Sequence, residues 1–201
     1  MQTIRHLGSE EQQKKYLQPA ANLNIIGCYA QTELGHGSNV AGLETTATLD
    51  KATDEFVIHT PTIKATKYWP GSLGLNATHA IVYARLVIDG KDNGVQPFIV
   101  PIRSLENHMP LPGIKVGDLG TKLGYNTTDN GWLSFDRVRI PRENILSRFI
   151  EVKKDGSLEM KGDPRIIYQI MVKTRQTLIL QSGCNIIQAG IIAVRYAICR
   201  R

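Results

Sequence analysis

Two short polar stretches hold most of the side chains that could do chemistry. YAQTELGHGSN, residues 29–39, follows the apolar run IIGC and gathers the hydroxyls of Thr32 and Ser38, the carboxylate of Glu33, the imidazole of His36 and two glycines. Gly35 and Gly37 would let backbone amides approach a ligand closely, and Thr32 and Ser38 would supply donors and acceptors. KYWPGSLG, residues 67–74, sets Trp69 beside Pro70 and Gly71. Such a segment can lay an aromatic face and an exposed amide against a flat heterocycle. Taken singly, each stretch reads first as a structural turn.

Other chemistries find no support. The sequence has no G-x-G-x-x-G between strand and helix, no G-x-x-x-x-G-K-[ST], and no G-x-S-x-G elbow. His6, His36, His59, His79 and His108 are scattered and no Cys or His pair has zinc spacing, so no metal is expected.

The elements that must position these residues fall into three zones. SEEQQKKYLQ, residues 9–18, starts with a capping Ser and acidic residues and predicts a short helix ending before Pro19. Between about Ile25 and Ile140 the pattern changes to short β-rich runs: IIGCYAQT, LETTATLD, EFVIHT, HAIVYARLVI, VQPFIVPI and WLSFDRVRI. Turn chemistry in DKATDE, DGKDNG and NTTDNG separates them. From Arg165 onward there is no proline, and apolar residues recur at helical intervals, predicting one long helix or two shorter ones that need other helices to cover them. The fold class is therefore α+β: a central antiparallel β-sandwich or barrel-like domain flanked by an N-terminal helical segment and long C-terminal helix or helices. Within WLSFDRVRI, Trp132 and Phe135 are both expected in the core.

Composition adds limits. The 201 residues are 42% hydrophobic and 21% charged, with no unbroken apolar run of membrane-spanning length, so no membrane span is expected. The start has no signal-peptide pattern. Cys28, Cys184 and Cys199 are an odd, widely spaced set, expected as reduced thiols in a core. The net charge of +6 is uneven: 12 Lys and Arg against 13 Asp and Glu up to Val138, then 12 against 5. Neither stacking aromatics nor a reading motif accompanies this basic end, so nucleic acid is not expected. A solvated helical face, or one meeting phosphate groups, fits better.

In combination, the motifs resemble a known family. EEQQKKYLQPAANLNIIGCYAQTELGHGSNVAGLETTATLD, KYWPGSLGLNATHAIVYARL, FIVPIR, PLPGIKVGDLGTKLGYNTTDNGWL and IPRENIL are similar to the acyl-CoA oxidases, flavoproteins related to the acyl-CoA dehydrogenases. GHGSN, WPG and GYNTTDNG look like the peroxisomal oxidase branch; mitochondrial-type dehydrogenases usually carry TEPxAGSD-like and WITNG-like segments. The resemblance covers nearly the whole chain.

It implies an FAD enzyme of peroxisomal fatty-acid β-oxidation, with acyl-CoA and O2 as substrates, trans-2-enoyl-CoA and H2O2 as products, and a homodimer in the full-length form. By similarity, Thr32 would hydrogen-bond the flavin's polar edge, Gly71 would offer its backbone to the ring, and Trp69 would pack near the ring face. Gly37 would admit the cofactor closely, Ser38 matches a position near the acyl-CoA thioester, and Arg200 aligns with an arginine that meets FAD phosphates across the family's dimer interface, a solvated helix terminus being the equal alternative. The implied domains are 1–26, the end of an N-terminal helical domain; 27–150, the flavin-binding β domain; and 151–201, a linker and the start of a C-terminal helical domain.

No catalytic residue is assigned. The family's catalytic Glu would lie beyond residue 201, Glu33 is expected to organise its loop, and His36 to shape it. A C-terminal SKL-type tripeptide is lacking, since the chain ends Cys199-Arg200-Arg201. The sequence is thus expected to be a piece of a longer oxidase or a shortened paralogue. Alternatives are a non-catalytic homologue that binds acyl-CoA or FAD or pairs with a complete subunit, and an acyl-CoA dehydrogenase.

Overall fold

The structure is a computed structural model describing residues 1–163 and 166–200. It divides into two compact units, Met1–Lys161 and Gly162–Arg201.

The first unit opens with α1 (Gln2–Leu7) and α2 (Glu10–Ala21). Ser9 starts α2 through a capping box: its hydroxyl accepts from the Gln12 amide and the Gln12 side chain accepts from the Ser9 amide. The helix does not stop before Pro19, as the sequence predicted, but runs through it to Ala21. Proline removes only one intrahelical donor, and here the loss falls in the last turn.

Eleven strands follow: β1 (Gly27–Ala30), β2 (Thr46–Asp50), β3 (Glu55–His59), β4 (Lys67–Gly71), β5 (His79–Ile88), β6 (Lys91–Pro101), β7 (Ile114–Asp118), β8 (Asn130–Phe135), β9 (Val138–Pro141), β10 (Ile150–Val152) and β11 (Leu158–Met160). Six of them form one sheet. β6 lies antiparallel on one edge of β5, while β1 and then β2 lie along its other edge, both parallel to it. The sheet continues through β3 to β9 in antiparallel pairs. The expected antiparallel β domain is therefore a mixed sheet. The alternation of a strand is the same in either direction, so the sequence pattern could not tell them apart.

A second sheet has the order β4-β8-β7. Its Leu133, Phe135 and Ile114 join the core cluster of the first sheet, which includes Phe56, Phe98, Val82 and Leu86. Phe56 and Phe98 meet edge to face at 5.1 Å between centroids. Trp132, expected in the core with Phe135, is only half-buried. The two residues are three apart, so pleating sends them to opposite faces, and the buried set is Gly131, Leu133 and Phe135.

Among the described residues the second unit has one helix, α3 (Ile166–Cys199), so the long-helix alternative is the one observed. Cys184 and Cys199 sit exposed on it, and only Cys28 is buried; burial pushes the Cys28 thiol up to about 12. The expectation of no membrane-spanning run needs one correction. Leu178–Cys199, 22 residues with mean hydropathy 1.3, is long and apolar enough to cross a membrane by length and composition. Gln181, Ser182, Asn185, Gln188 and Arg195 interrupt it, which is why no unbroken run stood out.

Candidate functional site

The way the sheet is threaded creates the site. β1 pairs with residues 79–82 of β5 and β2 with residues 85–87 of the same edge. The chain between them, residues 31–45, must leave that edge after Ala30 and return by Thr46. It is the stretch that contains TELGHGSN, and its return is pinned by the Arg85 amide donating to the Thr45 carbonyl at 2.8 Å.

Glu33 holds this loop from inside. Its side chain is fully buried, and the carboxylate accepts from the Glu44 amide (2.8 Å), the Thr45 amide (3.0 Å), the Thr45 hydroxyl (2.6 Å) and the Lys67 ammonium (2.9 Å). A carboxylate so surrounded is an organiser of the loop. His36 has a similar part: its Nε2 lies 2.9 Å from Glu44 Oε1, and Glu44 in turn accepts from the Thr62 hydroxyl. Those two contacts, the Thr62 hydroxyl first, hold the Glu44 carboxyl below the usual range.

The second stretch, read from sequence as a loop, is the bulged strand β4. It pairs with β8 at Tyr68↔Trp132 and Gly71↔Asn130, with an irregularity at Trp69-Pro70. Pro70 has no amide to give the ladder, which favours a bulge there. Regular alternation would put Trp69 on the same inward face as Lys67. Trp69 instead takes φ +83, so its indole is 52% exposed while Pro70 is buried. Ser72 also has a positive φ, +63. Positive φ at two non-glycine residues is strained backbone, held because the surroundings over-determine it.

Those surroundings are identifiable. Asn130 Nδ2 donates to the Trp69 carbonyl at 2.8 Å, and the Ser72 amide donates to the Asp129 carbonyl. The Asp129 carboxylate accepts from the amides of Leu75 and Asn76. The buried Arg103 guanidinium donates to the carbonyls of Leu73, Gly74 and Ala77. Burial lowers its pKa; the largest opposing influence is Asp129.

The two stretches meet. The Tyr68 amide donates to the Thr32 carbonyl at 3.0 Å, Glu33 and Lys67 form an antiparallel bridge, and the Leu34 amide donates to the Thr66 carbonyl at 2.8 Å. Thr32, half-buried, therefore sits one residue across from the Trp69-Pro70-Gly71 segment. A Cβ at Gly71 or at Gly37 would touch nothing within 4 Å, so bare backbone faces open space at both. Ser38 is exposed just past Gly37, its carbonyl accepting from the Val40 amide. Arg200 belongs to the other unit; its guanidinium lies over the Tyr196 ring, 5.7 Å from the centroid.

Residues 28–138 match the acyl-CoA dehydrogenase middle domain. The chain belongs to the acyl-CoA dehydrogenase middle-domain family. Within it, the chain is 56% identical to peroxisomal acyl-coenzyme A oxidase 1 of Arabidopsis thaliana over 98% of its own length, and 53% identical to peroxisomal acyl-coenzyme A oxidase 2 of Mus musculus over 100%. Among solved structures it superposes on acyl-CoA oxidase-2 of Caenorhabditis elegans, bound with FAD, ascaroside-CoA and ATP, with a TM-score of 0.97 at 45% identity, covering 100% of this chain and 30% of that one. Acyl-CoA oxidase 1 of Arabidopsis thaliana gives 0.85 at 58% identity, covering 88% and 28%. The chain spans about 30% of the length of these curated relatives. The resemblance drawn from TELGHGSN, KYWPGSLG and GYNTTDNG is thus borne out for the middle domain and its oxidase kin.

Lys67, Asn130 and Arg103 were not singled out from sequence. Lys67 carried no local signal, since the segment it opens read as a loop and a lysine is ordinarily a surface residue. Asn130 and Arg103 act on carbonyls distant in sequence, which no local motif encodes.

Proposed function

We propose that this chain is the flavin-binding middle region of a peroxisomal acyl-CoA oxidase, an FAD enzyme that converts acyl-CoA to trans-2-enoyl-CoA with O2 as acceptor and release of H2O2. The observation carrying this reading is the Tyr68–Thr32 hydrogen bond, which joins the two stretches into one surface. Residues 27–150 form the flavin-binding domain in this reading, residues 1–26 end a helical domain, and residues 151–201 begin another. Peroxisomal residence is supported by the same kinship, and a homodimer in the full-length form is part of the proposal.

The residues present fit a planar, partly polar ring system. An exposed indole is held outward at the cost of backbone strain, bare peptide at Gly71 faces open space, and Thr32 is tied beside them through its carbonyl. None of these arrangements serves the core. FAD, when bound, accepts the substrate's β-hydride and passes electrons to O2. Thr32 offers its hydroxyl and amide to the ring's polar edge, where a fixed donor favours the negative charge of the reduced form. Gly71 would present its backbone to the ring, Trp69 would pack near it and keep out water, and Gly37 would leave room for close approach. Ser38 would lie toward the acyl-CoA, and Arg200 would offer positive charge to the phosphates of a cofactor across the dimer interface. By the family resemblance the α-proton would be taken by a carboxylate outside residues 1–201; Glu33, held by four hydrogen bonds, is not free to take it.

The test uses the full-length protein. It should purify yellow, bleach on addition of acyl-CoA under anaerobic conditions, and release H2O2 when air is admitted. Bleaching without O2 consumption would assign it to the dehydrogenases. A second reading, a non-catalytic module that binds acyl-CoA or pairs with a complete subunit, is favoured by the full engagement of Glu33. It predicts ligand binding without turnover, and measured oxidase activity of residues 1–201 alone would exclude it.

A further inference from the structure

The Lys67 side chain is fully buried, yet the proposed chemistry gives it no part. Its ammonium meets three acceptors from two parts of the chain: Glu33 Oε1 at 2.9 Å and the Gln31 carbonyl at 3.2 Å in the loop, and the Tyr83 carbonyl of β5 at 2.6 Å. Gln31 and Glu33 flank Thr32. The next residue, Tyr68, grips Thr32 itself through its carbonyl, and the residue after that is Trp69.

We propose that Lys67 is a positioning residue for the cofactor edge, holding the Gln31 carbonyl and the Glu33 carboxylate on either side of Thr32 so that Thr32 is fixed beside the Trp69–Gly71 segment. The proposal rests on the flavin reading above. A buried ion pair is a poor device for stability alone, since well-packed apolar side chains of similar volume often serve as well or better. What a lysine adds is three directed donors on one atom, able to tie a loop, its flank and a neighbouring strand to one point. The tie lies where a misplaced hydroxyl would matter, because a polar contact to a bound ring depends on sub-ångström placement.

The test is a double-mutant cycle on the full-length protein, read as FAD affinity by fluorescence titration of the apo-protein. Glu33→Gln with Lys67→Met removes both charges together, and Thr32→Val removes the hydroxyl. Each should weaken FAD binding about tenfold, the value of one charge-assisted or well-placed hydrogen bond. Combined, they should weaken it little beyond tenfold, because the clamp acts through the hydroxyl that is gone. A Phe56→Leu variant, destabilised in the core, should bind FAD within about twofold of wild type. Multiplying losses, about a hundredfold in the combined variant, would overturn the role of Lys67 while leaving the flavin reading intact. Should Glu33→Gln/Lys67→Met not fold, Lys67→Arg replaces it, keeping the charge but changing its geometry, with the same requirement of non-additivity against Thr32→Val. Wild-type protein that binds no FAD overturns the flavin reading, and the role of Lys67 falls with it.

Discussion

The two walls of the candidate site are held by opposite means. The Thr32 loop is fixed by side-chain charge: Glu33 and Lys67 meet in a fully buried pair, and Glu44 ties His36 to Thr62. The Trp69–Ala77 wall is fixed through its backbone, with strained φ angles at Trp69 and Ser72 and with Asn130, Asp129 and Arg103 holding backbone groups. Charge clamps fail abruptly, because removing one partner strands the other in low dielectric. Carbonyl clamps fail by degrees, one hydrogen bond at a time.

The sharpest way to break that contrast is to remove one charge. Lys67→Met alone leaves the Glu33 carboxylate buried without its cation and should cost about 3–5 kcal/mol in urea unfolding, with Glu33→Gln added recovering part of the loss. Equal stability of the single and double variants would mean that the pair is not coupled. A pH signature accompanies the pair. Burial lowers the Lys67 pKa from 10.5 to about 8, against the opposing pull of Glu33. Between those values the unfolded chain holds more protons than the folded one at this site, so this group makes stability rise with pH across that window. The groups facing the ammonium are the Glu33 carboxylate and the carbonyls of Gln31 and Tyr83, and burial drives the nearby Tyr83 hydroxyl far above the window. Lys67→Met should flatten the slope between pH 8 and 10.

On the other wall the expected losses are smaller. Arg103→Leu strands the carbonyls of Leu73, Gly74 and Ala77 but also removes a buried charge that has no carboxylate partner at hydrogen-bond distance among the described residues. The net cost should be about 1–3 kcal/mol, below that of Lys67→Met. A greater loss would make the backbone wall the more brittle one and reverse the comparison. Asn130→Ala removes one hydrogen bond to the Trp69 carbonyl and should cost about 1 kcal/mol, with FAD affinity falling more than stability does.

The same contrast decides what the sequence could reveal. Polar residues and glycines packed between apolar runs made TELGHGSN and KYWPGSLG visible as candidates, and alternation made β2, β3, β5, β6 and most of β8 visible as strands. β4 was hidden because its proline and tryptophan read as a loop, while the pairing that makes it a strand comes from β8, some sixty residues on. β1 and β2 were visible, but their parallel alignment on β5 was not, since alternation carries no direction. The burial of Lys67 was equally hidden: a lysine is ordinarily a surface residue, and only the meeting of three distant acceptors makes an interior place for it. Side chains that contact a ligand leave local marks; those that hold the contacting residues act across the fold.

Trp69 offers the mildest and most diagnostic substitution. Its indole is 52% exposed, so little packing is lost on removal, and its φ of +83 is a conformation that glycine adopts freely. Trp69→Gly should relieve strain of about 1–3 kcal/mol while forgoing modest apolar contact and gaining unfolded-state entropy, leaving stability within about 1 kcal/mol of wild type. FAD affinity should nonetheless drop, because the aromatic face is gone although the Thr32 loop is untouched. A variant as stable as wild type but weaker for FAD would show the strain to be spent on presenting the indole. A marked loss of stability would show instead that Trp69 is a packing residue, and that the second wall is built for the fold before it is built for a ligand.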